Sequence, residues 1–154
     1  MKSASKISKG IFAILVVLTV LVFAGRAFAQ GNTWATKAPM PTAVYAPAGG
    51  AIDGKLYVAG GTLFGCTDSA ALEVYDPSTN MWTSKAPLPE PRHAAGAGVI
   101  NGKLYVVGGS TSPCVDPGNA NLRMYDPGTN TWTAKAPMPT PRADVAVADR
   151  KSVV

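Results

Sequence analysis

Ile52-Asp53-Gly54-Lys55-Leu56-Tyr57-Val58-Ala59-Gly60-Gly61 returns 48 residues later as Ile100-Asn101-Gly102-Lys103-Leu104-Tyr105-Val106-Val107-Gly108-Gly109. Around this pair other elements repeat in step. Tyr75-Asp76-Pro77 recurs as Tyr125-Asp126-Pro127, and Trp34, Trp82 and Trp132 are spaced by 48 and 50. Lys37-Ala38-Pro39-Met40-Pro41 returns at 85–89 and 135–139, with Leu88 replacing the methionine once. A period near fifty marks one supersecondary unit that cannot bury its apolar face alone and stacks against its neighbours.

The second unit spells out its strands. Residues 94–100 are small and apolar, and Asn101-Gly102 after them is a hairpin signal that needs positive φ at both central positions. Leu104 to Val107 is the second strand, and Asn121 to Tyr125 the third after a long loop. Asp126 to Asn130 is a second tight turn, and Thr131 to Lys135 the fourth strand, with Trp132 on one face. Four antiparallel strands with short turns make one propeller blade.

The order diglycine, long loop, Tyr-Asp-Pro and a tryptophan seven residues after the tyrosine resembles the kelch repeat. Its markers are Gly60, Gly61, Tyr75 and Trp82, then Gly108, Gly109, Tyr125 and Trp132. The resemblance implies an all-β fold: a partial kelch-type β-propeller of four-stranded antiparallel blades, small-residue strand innermost and tryptophan strand outermost. The expected blades are 43–86 and 93–136, within a propeller fragment at 30–148. Residues 32–38 resemble the fourth strand by which the family closes its ring, and the residues after 143 begin a further blade. Two blades leave apolar faces uncovered, so self-association is expected.

The ends read differently. Three lysines precede an apolar run from Ile11 to Ala24, and Ala27-Phe28-Ala29 follows. That is the plan of a secretory signal cleaved after residue 29, expected to be helical over about 5–28. An uncleaved anchor is the competing reading, although the run is shorter than the roughly 20 residues a spanning helix needs. Export would place the chain outside the cell, in the periplasm or on the cell surface. At the other end, Asp149-Arg150-Lys151 stand where Val99-Ile100-Asn101 stand in the preceding unit. Residues 149–154 are expected to be a non-native tail, since a common sequencing-library adapter read in frame can encode them.

Charge belongs to the leader. Four of the 14 basic residues and none of the 9 acidic ones lie in residues 1–29, which leaves the rest at +1. Nucleic-acid binding by bulk charge is therefore unsupported. Residues 30–154 hold 14 of the 16 glycines and all 13 prolines, turn material that suits many short strands.

Antiparallel strands put the loop after strand two and the connection between blades at the same end, and loops on a rigid scaffold are where binding resides. Arg92 and Arg142 occupy equivalent positions there, as candidates for a basic ring or as braces on backbone carbonyls, and His93 adjoins Arg92. A lone histidine without a recognisable carboxylate partner is weak evidence for catalysis. Cys66 and Cys114, each five residues after a diglycine, form a candidate disulfide. Matching sites in adjacent blades stand far apart for a bridge unless the loops lean together. No calcium-type Asp/Asn ladder occurs, and the diglycines end strands rather than opening helices, which excludes a phosphate cradle.

These readings favour an exported interaction scaffold, not itself an enzyme and without metal or cofactor, that presents one loop-rich face to a protein or glycan. The resemblance also reaches galactose-oxidase-like copper enzymes and sialic-acid mutarotases, so a fragment of an exported carbohydrate-active enzyme is the alternative. One histidine cannot supply the copper type's ligands, and two blades cannot enclose the pocket that a mutarotase needs.

Overall fold

The structure, a computed structural model, describes residues 34–112 and 117–148. The expected leader and the tail after residue 148 lie outside them. The chain divides into two units, Met1–Thr36 and Lys37–Val154. Of the first, only Trp34 to Thr36 are described, and they form no strand.

The second unit is all β. Ten strands run in chain order: β1 Ala48–Ile52, β2 Lys55–Ala59, β3 Thr62–Leu63, β4 Thr67–Asp68, β5 Leu72–Asp76, β6 Met81–Lys85, β7 Gly96–Ile100, β8 Lys103–Val107, β9 Leu122–Asp126 and β10 Thr131–Lys135. They pair antiparallel into two four-stranded sheets, β1-β2-β5-β6 and β7-β8-β9-β10, with β3 and β4 forming a small hairpin inside the first blade's long loop. Both sheets fall inside the expected blades.

Registers repeat as the sequence does. Gly50 faces Tyr57 and Gly98 faces Tyr105, and Tyr75 faces Trp82 as Tyr125 faces Trp132. The predicted hairpin turns carry φ of 49° and 74° at Asp53 and Gly54, and 50° and 70° at Asn101 and Gly102. At the Tyr-Asp-Pro turns, the Asp76 carboxylate accepts from the Ser78 N–H and that of Asp126 from the Gly128 N–H, closing each turn with a side chain.

The core lies between the blades. Gly50 on β1 leaves room for Val99 and Leu104 of the next blade: a Cβ there would stand 2.8 Å from Val99 Cγ2 and 3.0 Å from Leu104 Cδ1. Tyr57 meets Tyr125 across the same interface, ring centroids 6.0 Å apart. Ile52, Val74, Leu104 and Val106 fill the rest, each nearly removed from water. A backbone relay crosses the blades as well. The Ala94 N–H donates to the Ala46 carbonyl at 3.0 Å, and the Asp144 N–H to the Ala94 carbonyl at 2.9 Å. All three residues sit at left-handed φ, between 46° and 53°.

Two expectations at the blade margins need correction. Residues 34–38 enter no strand ladder. A fourth strand is held by the third strand of its own blade, but Ala38 is held by side chains. Its N–H donates to Asn80 Oδ1 at 2.9 Å, and Trp82 Nε1 donates to its carbonyl, also at 2.9 Å. Residues 145–148 are not a strand either. They lie over β7, where a Cβ on Gly96 would stand 2.6 Å from the Val145 carbonyl.

Candidate functional site

Strand direction places the 60–71 loop, the 108–121 loop and the connection from β6 to β7 at one end of the sheets. Backbone bonds lock these segments together. His93 and Ser110 exchange both N–H···O bonds, at 3.1 and 2.9 Å, as Tyr45 and Thr62 do, both at 2.8 Å. The Arg92 N–H donates to the Ser69 carbonyl and the Arg142 N–H to the Asn119 carbonyl, each at 3.1 Å.

The diglycines make this closeness possible. Gly108 N–H donates to Asn121, Gly109 N–H to the Arg142 carbonyl, and a Cβ on Gly108 would stand 2.6 Å from that carbonyl. Gly108 and Gly109 also hold φ of 68° and 83°, where side chains are strained.

Arg92 is buried rather than open to solvent. It is 1% exposed, its Nη1 donating to the Gly108 carbonyl at 3.1 Å and its Nη2 to Glu90 Oε2 at 2.8 Å. Arg123 grips the same carboxylate through Nε at 3.2 Å and through Nη2. Burial lowers the Arg92 pKa, and the hydrogen bond from Arg123 is the main reason the Glu90 carboxyl lies below its ordinary range. Arg92 is thus a brace between the connection and the second blade. Blade one has the same link with polarity reversed: Thr42 Oγ1 donates to Glu73 Oε1 at 2.7 Å, the positions of Glu90 and Arg123 one repeat earlier. Arg142, in the equivalent position, is exposed.

His93 does have a carboxylate partner, one that sequence reasoning missed. Its Nδ1 stands 2.9 Å from Asp68 Oδ1, with the side chains 13% and 3% exposed. Thr62 Oγ1 donates to the same oxygen at 3.1 Å. The pair ties the β3-β4 hairpin of blade one to the strand entering blade two. Cys66, in that hairpin's turn, is disulfide-bonded; Cys114, the chain's other cysteine, lies outside the described residues.

What the braced face offers to solvent is aromatic. Phe64 at the hairpin tip is 92% exposed, and Tyr45, bridged to Thr62 on the adjoining strand, is 66% exposed. The opposite end of the sheets carries the short turns and two equivalent ion pairs, Lys55–Asp76 at 2.8 Å and Lys103–Asp126.

The kelch motif model matches residues 44–89 and again 91–139, one match for each four-stranded sheet. The chain belongs to the kelch-motif family. Among solved structures it is similar to one titled "Structure of YjhT", with a TM-score of 0.64 and 22% identity. The likeness covers 73% of this chain and 43% of that one, so the kelch repeats here span less than half of the solved chain. At that identity it speaks for the fold alone. No curated protein matches the chain.

The kelch markers take up structural work. Trp132 Nε1 donates to the Ala86 carbonyl at 2.8 Å and Asn130 Oδ1 accepts from the Ala86 N–H at 3.0 Å, so both backbone groups of one exit residue are held by the next blade. Tyr125 stacks on Trp132 at 5.1 Å and donates its hydroxyl to the same Asn130 oxygen at 2.7 Å. Asn80, Tyr75 and Trp82 do the same for Ala38. Asn80 and Asn130, at equivalent ends of the Tyr-Asp-Pro turns, are half of each clamp.

Proposed function

We propose that this protein is an exported kelch interaction scaffold whose loop-rich end binds a protein or glycan through Tyr45 and Phe64. The observation that carries the reading is the exposure of these two aromatic rings on loops that are otherwise pinned. Aromatic anchors dominate binding energy because they bring large area at small entropic cost, and a fixed platform lowers that cost further. The His93–Asp68 pair is then a fastener of the platform rather than a chemical group, in keeping with its burial. The disulfide at Cys66 supports export, because disulfides persist in oxidising compartments. A cleaved leader over residues 1–29 completes the reading.

Two measurements test it. N-terminal sequencing of the exported protein should begin at Gln30. A glycan array and a panel of cell-surface proteins, probed with the wild type and with Phe64→Ala, should yield a ligand whose affinity falls at least tenfold in the variant. Equal binding by both forms, or a ligand lost on substitution of the short-turn end instead, overturns the assignment of the face.

A further inference from the structure

The two blades fill one equivalent position with different chemistry. In blade two the Arg92 guanidinium bonds the Gly108 carbonyl and the Glu90 carboxylate, which Arg123 also grips. One repeat earlier the positions of Arg92, Gly108, Glu90 and Arg123 hold Val44, Gly60, Thr42 and Glu73. Blade one therefore keeps a glycine carbonyl and a carboxylate, but the side chain at the Arg92 position is short and apolar.

That carboxylate is only half engaged. Glu73 is 6% exposed, and its Oε1 accepts from the Thr42 hydroxyl at 2.7 Å. Its Oε2 is buried without a hydrogen-bond partner, and none of the ion pairs among the described residues involves Glu73. Glu73 borders a cavity of about 10 Å³ whose walls include Thr42, Val44, Val58 and Gly60. The counterparts of these walls in blade two are Glu90, Arg92, Val106 and Gly108. The cavity is thus the space that the longer Arg92 side chain takes up one repeat later.

Burying a carboxylate is costly unless a cation or donors compensate it. A space of this size admits one particle about as large as water. Water brings no charge, and calcium would ask for about six to eight oxygens, more than Glu73, Thr42 and Gly60 can supply. We infer that the cavity is a site for a single monovalent metal cation, sodium or potassium, which does in blade one what the Arg92 guanidinium does in blade two. Glu73 supplies the charge. The Thr42 hydroxyl and the Gly60 carbonyl replace part of the ion's hydration shell, as carbonyls do for such ions elsewhere. Occupancy ties residues 42–44 to β5 and to the diglycine, and so fixes the approach to Tyr45.

Amide chemical shifts of the full chain test the site, recorded at pH 7 and constant ionic strength while sodium or potassium replaces choline. The amides of Thr42, Gly60 and Glu73 should shift saturably with at least one of the two metal ions. The thermal midpoint should rise by about 3 °C or more over choline alone. Glu73→Gln removes the charge and keeps the shape, while Val44→Arg brings its own guanidinium to the cavity. Neither variant should respond to the metal ion. Wild-type shifts that are the same in all three salts, as a lone water would give, overturn the proposal. So does a response that persists in either variant, which marks an adventitious ion only. Should Val44→Arg lose its native spectrum, Val44→Lys takes its place under the same criteria.

Discussion

Trp132 reaches back 46 residues to bond the carbonyl of Ala86, and the distance is 2.8 Å. Trp82 makes the same bond to Ala38. The two indoles are equivalent in sequence but hold different things: Trp132 joins two blades, whereas Trp82 holds a six-residue strap. Trp132→Phe keeps an aromatic ring and deletes the donor, and should lower global stability by about 1 kcal/mol. Trp82→Phe should raise amide exchange at Ala38 with a smaller global change. Denaturant titration and hydrogen exchange together check the contrast, and equal global losses would refute it.

Glu90 stands between two guanidinium groups, one of them fully buried. Removing the carboxylate strands Arg92 in the interior beside Arg123, so Glu90→Ala should cost about 3 kcal/mol. Arg92→Met removes the buried charge and fills its volume, leaving the Gly108 carbonyl short of one donor, at about 1 kcal/mol. The order of the two unfolding midpoints is the readout, and a larger loss in Arg92→Met would mean that the ion pair is not the brace described.

Three carboxylates with lowered pKa among the described residues set an acid limit. Lys55 foremost holds Asp76 well below its ordinary 3.8, Lys103 foremost holds Asp126 below the same value, and Arg123 holds Glu90 below 4.5. A depressed folded-state pKa means that the unfolded chain takes up protons first. The stabilisation is then complete above about pH 4.5 and is lost as pH falls through the folded-state values. Thermal melts from pH 7 to pH 3 should show the midpoint falling below pH 4.5. Glu90→Gln should flatten the upper part of that fall.

Gly102 and Gly108 have nearly the same φ, 70° and 68°. Their surroundings differ: nothing lies within 4 Å of a Cβ at Gly102, whereas one at Gly108 would collide with the Arg142 carbonyl. Gly102→Ala should cost about 1 kcal/mol, the left-handed strain alone. Gly108→Ala should cost at least about 2 kcal/mol more, since backbone has to move. Equal costs would show that the diglycine is needed only for its dihedral angles.

The strands and their turns were legible because they rest on local chemistry. Asn101-Gly102 dictates its own turn, and the Tyr-Asp-Pro turn carries the aspartate that closes it. Whether Arg92 binds or braces was not legible, because burial is a property of the neighbour. Nothing near Arg92 in the sequence says that the 108–110 backbone will cover it, and Arg142, in an equivalent position, is exposed. Asp68 lies 25 residues from His93, in a loop whose path the sequence spacing does not give, so nothing local pairs the two. Residues 34–38 match the fourth strand of the repeat, but pairing depends on a partner, and Ala38 is taken by side chains.

The relay from Ala46 to Ala94 to Asp144 fixes how the chain is metered. The first two stations are 48 residues apart and the next two 50, and the two additional residues fall between Gly109 and Tyr125. Slack is therefore paid out only between the second and third strands of a blade, while the connections from one blade to the next keep a constant length. A lineage of such chains is free to rewrite what it touches by lengthening one loop, without altering the gearing by which one blade follows another.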